Sequence, residues 1–367
     1  MVKKCIFCGK PIEEKSKEHV IPQWLIEMTG DKNRMGAFGV DYYKIFNNKF
    51  KAEQIKTRKY PFLSFTFPAC VECNGKYGTE LEGNAKLALT KILSKQKINK
   101  DEISALLDWF DKVRIGLWLG YLYYNEQLEA LNPRFYIDDR IKQKDRALFI
   151  YKCKESIKGI NIVGPGGMLF SMIPSCFLLR INNYFFLNIS KDALLLKDLG
   201  YPYPIINSID SEGKTYYTMS SGFKTINQNL LSEYRIKETS KAVLQPIFKQ
   251  FENICKSEDT YIVNNSLEQD KGLCSLYIKE TDFRVMKENE EYSLEPNEAY
   301  ENIFGILTTL AHRTSMILMK FANEIQNSIE ESGQIDERKN KMLMELHMAV
   351  TTEKLRMNHI KYELENT

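Results

Sequence analysis

The stretch that decides the fold is KEHVIPQ, Lys17 to Gln23, because it lies between two cysteine pairs, CIFCG at residues 5–9 and PACVECN at residues 68–74. Each pair has the form of a knuckle, a tight turn that aims two thiolates at one ion. Together Cys5, Cys8, Cys70 and Cys73 supply the tetrahedral sulfur shell of a structural Zn²⁺ site. The 61 residues between Cys8 and Cys70 exceed the spacing of an ordinary zinc ribbon. A sizeable insert therefore occupies the loop that the metal closes, and KEHVIPQ sits inside it.

Outward from this stretch, Lys17 to Ile21 reads as a short strand that Pro22 ends, and Pro22 is well placed to start the helix PQWLIEM, which Gly30 stops. Residues 35–66 alternate aromatic and basic side chains without a helical period, as in an irregular loop or ragged hairpin. From Tyr77 to Ile98, Leu81, Leu87, Leu89, Ile92 and Leu93 recur at near-helical spacing, so the second knuckle leads into a helix. A further helix spans Asp101 to about Tyr124. Ile103, Leu106, Leu107, Phe110, Val113 and Leu117 form its apolar stripe, with Asp108, Asp111, Lys112 and Arg114 expected off it. The apolar run 115–124, IGLWLGYLYY, is too short to cross a bilayer and continues this helix.

The charged segment 133–146, PRFYIDDRIKQKDR, breaks the helical pattern and marks a domain boundary. Beyond it the period shortens towards two: RALFIYKC, INIVG, GMLFSMI and FLLRINNYFFLNI read as strands, with Asn182-Asn183 as a hairpin turn. The Gly-rich VGPGGM lacks the Lys and Ser/Thr of a phosphate-binding loop and reads as a turn. Helical spacing returns at Thr239 to Cys255, at Asn297 to Ser328 and at Ile335 to Glu365, where Leu343, Leu346, Val350 and Leu355 form a stripe suited to docking on the protein itself, on a partner or on a second copy. The fold class is α+β. A zinc-bound unit at 1–98 is followed by a helical extension at 99–132 and a mixed α/β C-terminal domain at 147–367.

Composition agrees with more than one globular unit. Of 367 residues, 43% are hydrophobic and 27% charged, which excludes wholesale disorder. Charges interrupt the N-terminal residues too often for a signal peptide, so a cytoplasmic location and no membrane partner are expected. Cys153, Cys176, Cys255 and Cys274 stand singly and read as small buried apolar residues. The net charge is +3, yet residues 1–76 hold 14 Lys and Arg against 8 Asp and Glu. The basic surplus travels with the first four cysteines; a run such as KFKAEQIKTRKY is most commonly a solvated loop face, so the surplus points to a phosphate-bearing partner only together with the cysteine motif.

CIFCGK, EHVIPQWL and CVECN, taken together, resemble the HNH endonuclease family in its four-cysteine form, over roughly residues 5 to 82. The resemblance implies a ββα-metal fold and a metal-dependent nuclease. In that family the first-motif histidine is the general base and an adjacent residue helps bind one divalent cation, which assigns these roles to His19 and Glu18. The residue directly after the second CxxC, here Asn74, is a metal ligand at a helix start. Mg²⁺ or Mn²⁺ held by Glu18 and Asn74 would keep several positions for water and phosphate oxygens. The resemblance further implies DNA rather than RNA as substrate, and a place in bacterial antiphage defence or restriction. It confines the chemistry to the first ninety or so residues.

The chain departs from the family where a middle asparagine usually orients the histidine, since residues 61–70 read PFLSFTFPAC. A backbone carbonyl, Ser64, Thr66 or Asn47/Asn48 is left to do so. Glu18 and His19 are neighbours, which a regular strand sends to opposite faces, so a shared site implies a twist or bulge between them. Lys76 and Glu82, early on the following helix, are candidates for phosphate and metal contact, with solvent exposure as the plainer reading. Trp24 reads as core rather than as a platform for a base. The alternative function is a non-catalytic zinc module that binds nucleic acid or a partner protein, in which His19 is an ordinary strand residue.

Overall fold

A computed structural model describes residues 4–38 (save 15, 31, 32 and 34), 58–124 (save 65), 133, 136–141, 146–163 (save 154 and 155), 170, 174 and 176–190. Further on it describes 204–209, 211, 215–219, 236–246, 261–264, 283–287, 290–294, 340, 344, 347 and 351. The chain is mixed α+β. The first knuckle is a turn in which the Cys5 N–H donates to the Lys10 carbonyl and the Gly9 N–H to the Cys5 carbonyl, at 2.8 and 2.9 Å. Gly9 takes φ +72°, and a Cβ there would lie 2.3 Å from the Tyr136 ring, so both backbone and space call for glycine.

Strand β1 (Ser16–His19) pairs antiparallel with β4 (Thr66–Ala69), with Glu18 opposite Phe67 and His19 opposite Thr66. The Ile6 N–H donates to the Pro68 carbonyl at 3.0 Å, which stitches the first knuckle to this pair. Helix α1 (Gln23–Met28) follows Pro22 as expected, buries Leu25 and Ile26, and ends before Gly30 at φ +77°. The aromatic-basic segment contains a hairpin of β2 (Met35–Phe38) and β3 (Arg58–Pro61).

Residues 71–93 form one continuous helix, α2, whose pitch changes on the way. A short α-turn at Val71–Cys73 passes into a π-helix at Asn74–Leu81, and an α-helix at Glu82–Leu93 completes it. Helix α3 (Lys100–Tyr124) starts on a reciprocal cap, the Asn99 side chain accepting from the Glu102 N–H and the Glu102 carboxylate from the Asn99 N–H, both at 2.9 Å. A single turn, α4 (Ile137–Arg140), falls in the segment read as a boundary. It docks back on the first knuckle, with the Asp138 N–H donating to the Phe7 carbonyl at 2.9 Å.

The second half is built on an antiparallel sheet of eight strands in the order β14-β13-β12-β11-β5-β8-β7-β6. These are β5 (Arg146–Cys153), β6 (Ile160–Val163), β7 (Cys176–Ile181), β8 (Tyr184–Ser190), β11 (Ile236–Pro246), β12 (Tyr261–Asn264), β13 (Phe283–Lys287) and β14 (Glu290–Leu294). A separate hairpin joins β9 (Pro204–Ile209) to β10 (Thr215–Met219). The turn between β7 and β8 is Asn182-Asn183, with Asn182 at φ +52°. The helix expected from Thr239 is replaced up to Pro246 by strand β11, because Ala242, Val243 and Leu244 find ladder partners in Ile150, Phe149 and Leu148 and tertiary pairing outweighs a weak helical period. Of GMLFSMI only Phe170 is described, and it is helical and buried. The helix expected at Asn297 to Ser328 lies outside the described residues. So does most of the terminal one, of which Asn340, Met344, His347 and Thr351 are helical and exposed.

Helix α3 lies between the elements around the cysteine cluster and the sheet, and over residues 106–120 it is buried all round rather than along one stripe. On one side Trp109 faces Trp24, with ring centroids 6.1 Å apart. On the other Phe110 packs on Phe177 and Phe186 at 6.0 and 5.4 Å. Asp108, Asp111, Lys112 and Arg114, expected off the stripe, are all buried. Asp111 bonds Arg114 at 2.7 Å and Arg146 of β5 at 2.9 Å, and Arg146 also reaches Asp108 at 2.5 Å. Arg114 donates onward to the Ser190 hydroxyl and the Pro174 carbonyl.

At its far end α3 approaches the β1–β4 pair closely: a Cβ on Gly120 would lie 2.2 Å from the Phe67 ring, and one on Gly116 3.0 Å from Val20. Alanine would favour the helix by about 1 kcal/mol, but the overpacking against a buried ring costs about 1–3 kcal/mol and wins. Gly120→Ala is expected to lower the thermal midpoint, and a melt followed by circular dichroism checks it.

Candidate functional site

The structure gathers the four cysteines, with their Sγ atoms all within 4.8 Å of one another and no disulfide among them. A tetrahedral ion with Zn–S bonds of about 2.3 Å needs sulfurs about 3.8 Å apart, so a small closure brings this cluster onto a metal such as zinc. The Cys70 N–H already donates to Cys5 Sγ at 3.3 Å, a bond that favours thiolate. Burial pushes the Cys5 and Cys73 thiols up, with Cys70 adding to the rise at Cys73. Burial also opposes ionisation at Cys70, but hydrogen bonds from the Cys73 N–H and the neighbouring thiols outweigh it and bring Cys70 down. Four crowded thiols of this kind ionise together only around a cation. A metal held there would fasten residues 5–8 to the start of α2, where Tyr77 stacks on Phe7 at 4.8 Å and bonds Asp138 of α4.

The β1–β4 pair next to this cluster carries Glu18 and His19. Its register runs unbroken through both residues, so the bulge expected between them is absent, and the two side chains have different surroundings. Glu18 is buried and faces Lys112 of α3, with which it forms an ion pair. Lys112 also bonds Glu82 of α2. Burial alone would push the Lys112 ammonium down, and the two carboxylates more than offset that and hold it above its ordinary value. Burial raises Glu82, with the Lys112 charge opposing the rise and Glu18 adding to it.

His19 is half-buried, and burial lowers its pKa. A hydrogen bond to the Leu63 backbone carbonyl and the negative charge of Glu82 work the other way, while Lys112 and Lys17 add to the lowering. Of the candidates to orient the imidazole, the backbone carbonyl of Leu63 is in contact, and Thr66 lies opposite His19 in the strand register. The Ser64 hydroxyl donates instead to the Pro61 carbonyl at 2.8 Å, and Asn47 and Asn48 lie outside the described residues.

Asn74 opens the π-helical stretch of α2, directly after Cys73, and its N–H donates to the Cys70 carbonyl at 3.0 Å. The wide turn brings Gly78 under two oxygens at once: a Cβ on Gly78 would lie 3.3 Å from Asn74 Oδ1 and 3.6 Å from Glu18 Oε2. Two acceptor oxygens thus converge over a position without a side chain, an arrangement that suits a hard cation such as Mg²⁺. π-Helical turns occur frequently at functional sites, and Asn74 and Gly78 both lie in this one.

Lys76 is exposed, 3.9 Å from Asp138 and 4.7 Å above the Tyr77 ring. Trp24 packs in the core. Lys112 and Gly78 were missed from sequence. The signal for Lys112 was available, since helix 100–124 is apolar around most of its circumference, and charges embedded in such a helix are buried and paired. No periodicity announces the π-helical turn that gives Gly78 its place.

Comparison of the chain with protein-family models, with curated proteins and with solved structures gives no match. Among the described residues no helix is long and apolar enough to cross a membrane. Metal analysis of the purified chain is expected to find one zinc per chain, and Cys73→Ser to lose it. Because a structural zinc site supplies folding free energy outright, on the order of 10 kcal/mol in small zinc domains, the Cys73→Ser chain should also melt earlier, and an unchanged zinc content would refute the assignment.

Proposed function

We propose that the chain is a metal-dependent endonuclease of the HNH type that hydrolyses DNA phosphodiester bonds. The observation that carries this reading is Glu18 Oε2 and Asn74 Oδ1 both lying near Gly78, with the next residue of β1, the half-buried His19, tied to the Leu63 carbonyl. Two antiparallel strands, β1 and β4, followed by helix α2 with a cysteine cluster at its start, fit the ββα outline of that family.

The Leu63 carbonyl accepts from one ring nitrogen of His19 and so leaves the other with its lone pair free, the tautomer a base needs. Because burial lowers its pKa, His19 is neutral at neutral pH. It takes the proton of an attacking water as the water oxygen bonds to phosphorus and the bond to the leaving oxygen breaks. A divalent ion held by Glu18 and Asn74 would neutralise charge on the phosphate and the leaving oxygen. The basic surplus of residues 1–76 favours a polyanionic substrate. Bacterial antiphage defence or restriction is the setting that the resemblance suggests.

The rival is a non-catalytic zinc module that binds nucleic acid or a partner protein. It is favoured by the unbroken strand and by Lys112, which already neutralises Glu18. Nicking of supercoiled plasmid in Mg²⁺ or Mn²⁺ separates the two. The wild type should nick and His19→Ala should be slower by roughly 10²–10⁴-fold, the usual contribution of a general base. A wild type silent in both ions, or equal to His19→Ala, rejects the nuclease.

Two further outcomes follow from the geometry. Nicking should rise with pH through a midpoint below 6.5, the ordinary histidine value, and then level off, since the base form of a depressed histidine persists into mildly acid solution. Gly78→Ala puts a methyl against both oxygens and should slow nicking by roughly ten- to a hundred-fold, whereas Gly75→Ala, with open space around its Cβ position, should not.

A further inference from the structure

We infer that Lys112 is the resident counter-cation of this site, a positioning residue that holds Glu18 and Glu82 together and limits the site to one divalent ion, on the Asn74 side of Glu18. The inference rests on the nuclease reading for its metal and goes beyond it in naming what sets the metal's number and place.

The three charged groups come from three elements: Glu18 from β1, Glu82 from α2 and Lys112 from α3. The Lys112 side chain is fully buried, and its ammonium contacts Oε1 of both carboxylates. Two carboxylates in such a place repel one another and demand a cation between them. A divalent metal could fill that position, and the ammonium occupies it first. A hard cation approaching from the same side would meet a like charge. Glu18 Oε2 and Asn74 Oδ1 face the other way, over Gly78, and this pair stays available. Lys112 thus divides Glu18 between a permanent cation at one oxygen and an exchangeable one at the other. Substituting the lysine by an uncharged residue of similar length should open a site with two carboxylates.

The test is Mn²⁺ binding to the full, zinc-loaded chain, counted by the electron paramagnetic resonance of the free ion, for wild type, Lys112→Met and Lys112→Met/Glu82→Gln. Wild type should bind one Mn²⁺. Lys112→Met should bind Mn²⁺ at least ten-fold more tightly, and the double variant, which removes the ion pair as a unit, should lose that gain. If Lys112→Met unfolds alone, Mn²⁺ should restore it, with a melting temperature that climbs with ion concentration. Each of these results overturns the inference: unchanged Mn²⁺ affinity in Lys112→Met, an unfolded Lys112→Met that Mn²⁺ does not rescue, or a gain that survives in the double variant. The nuclease reading fails separately. A wild type that binds one Mn²⁺ without nicking DNA rejects that reading and leaves the role of Lys112 standing, whereas a wild type that binds none overturns the inference as well.

Discussion

Helix α3 is enclosed by protein on every side while carrying Asp108, Asp111, Lys112 and Arg114 in its middle two turns. A buried charge without a partner costs about 3–5 kcal/mol when its partner is removed, a large share of the 5–15 kcal/mol that holds a typical domain together. Each of these side chains must therefore be met by an opposite charge, on the helix itself or on a neighbouring element. Lys112 is met by Glu18 and Glu82, and Asp111 by Arg114 and Arg146. The placement of β1, of α2 and of the first strand of the sheet follows from satisfying one helix. Apolar contacts supply most of the driving force around it, through Trp109, Phe110 and their aromatic neighbours. The charges choose among the packings that such contacts would otherwise allow.

The cysteine cluster works at a different level. Its four thiols tie residues 5–8 to 70–73, fixing the start of α2 and hence the position of Asn74. Where α3 determines which carboxylates meet, the metal knuckles determine which backbone presents the asparagine. Both constraints converge on Glu18, whose two oxygens look towards Lys112 and towards Asn74.

Much of this was legible in the sequence. The cysteine spacing, the strand before Pro22, the stop at Gly30, the helix from residue 100 and the Asn182 turn are local signals, and each is written in one or two residues whose backbone chemistry leaves little choice. The failures share a physical origin. Periodicity reports which residues are apolar, and cannot report that a polar residue is buried because another polar residue meets it, so Lys112 and its neighbours were only placed off the apolar stripe. Ala242 to Leu244 became a strand because Leu148 to Ile150 lay waiting for ladder partners, which is information held elsewhere in the chain. The unbroken pairing of Glu18 and His19 corrects the expectation of a bulge. Glu18 Oε2 and Asn74 Oδ1 both lie near Gly78 of the π-helical turn without any distortion of β1.

Adjacent residues on α3 meet different elements: Asp111 bonds Arg146 of β5, and Lys112 the carboxylates of β1 and α2. A rotation of the helix cannot serve one side without disturbing the other. The first ninety residues, which hold every residue of the family-like signature, are consequently not a transferable module. Moving them onto another body would carry Glu18 and Glu82 away from their counter-charge on α3.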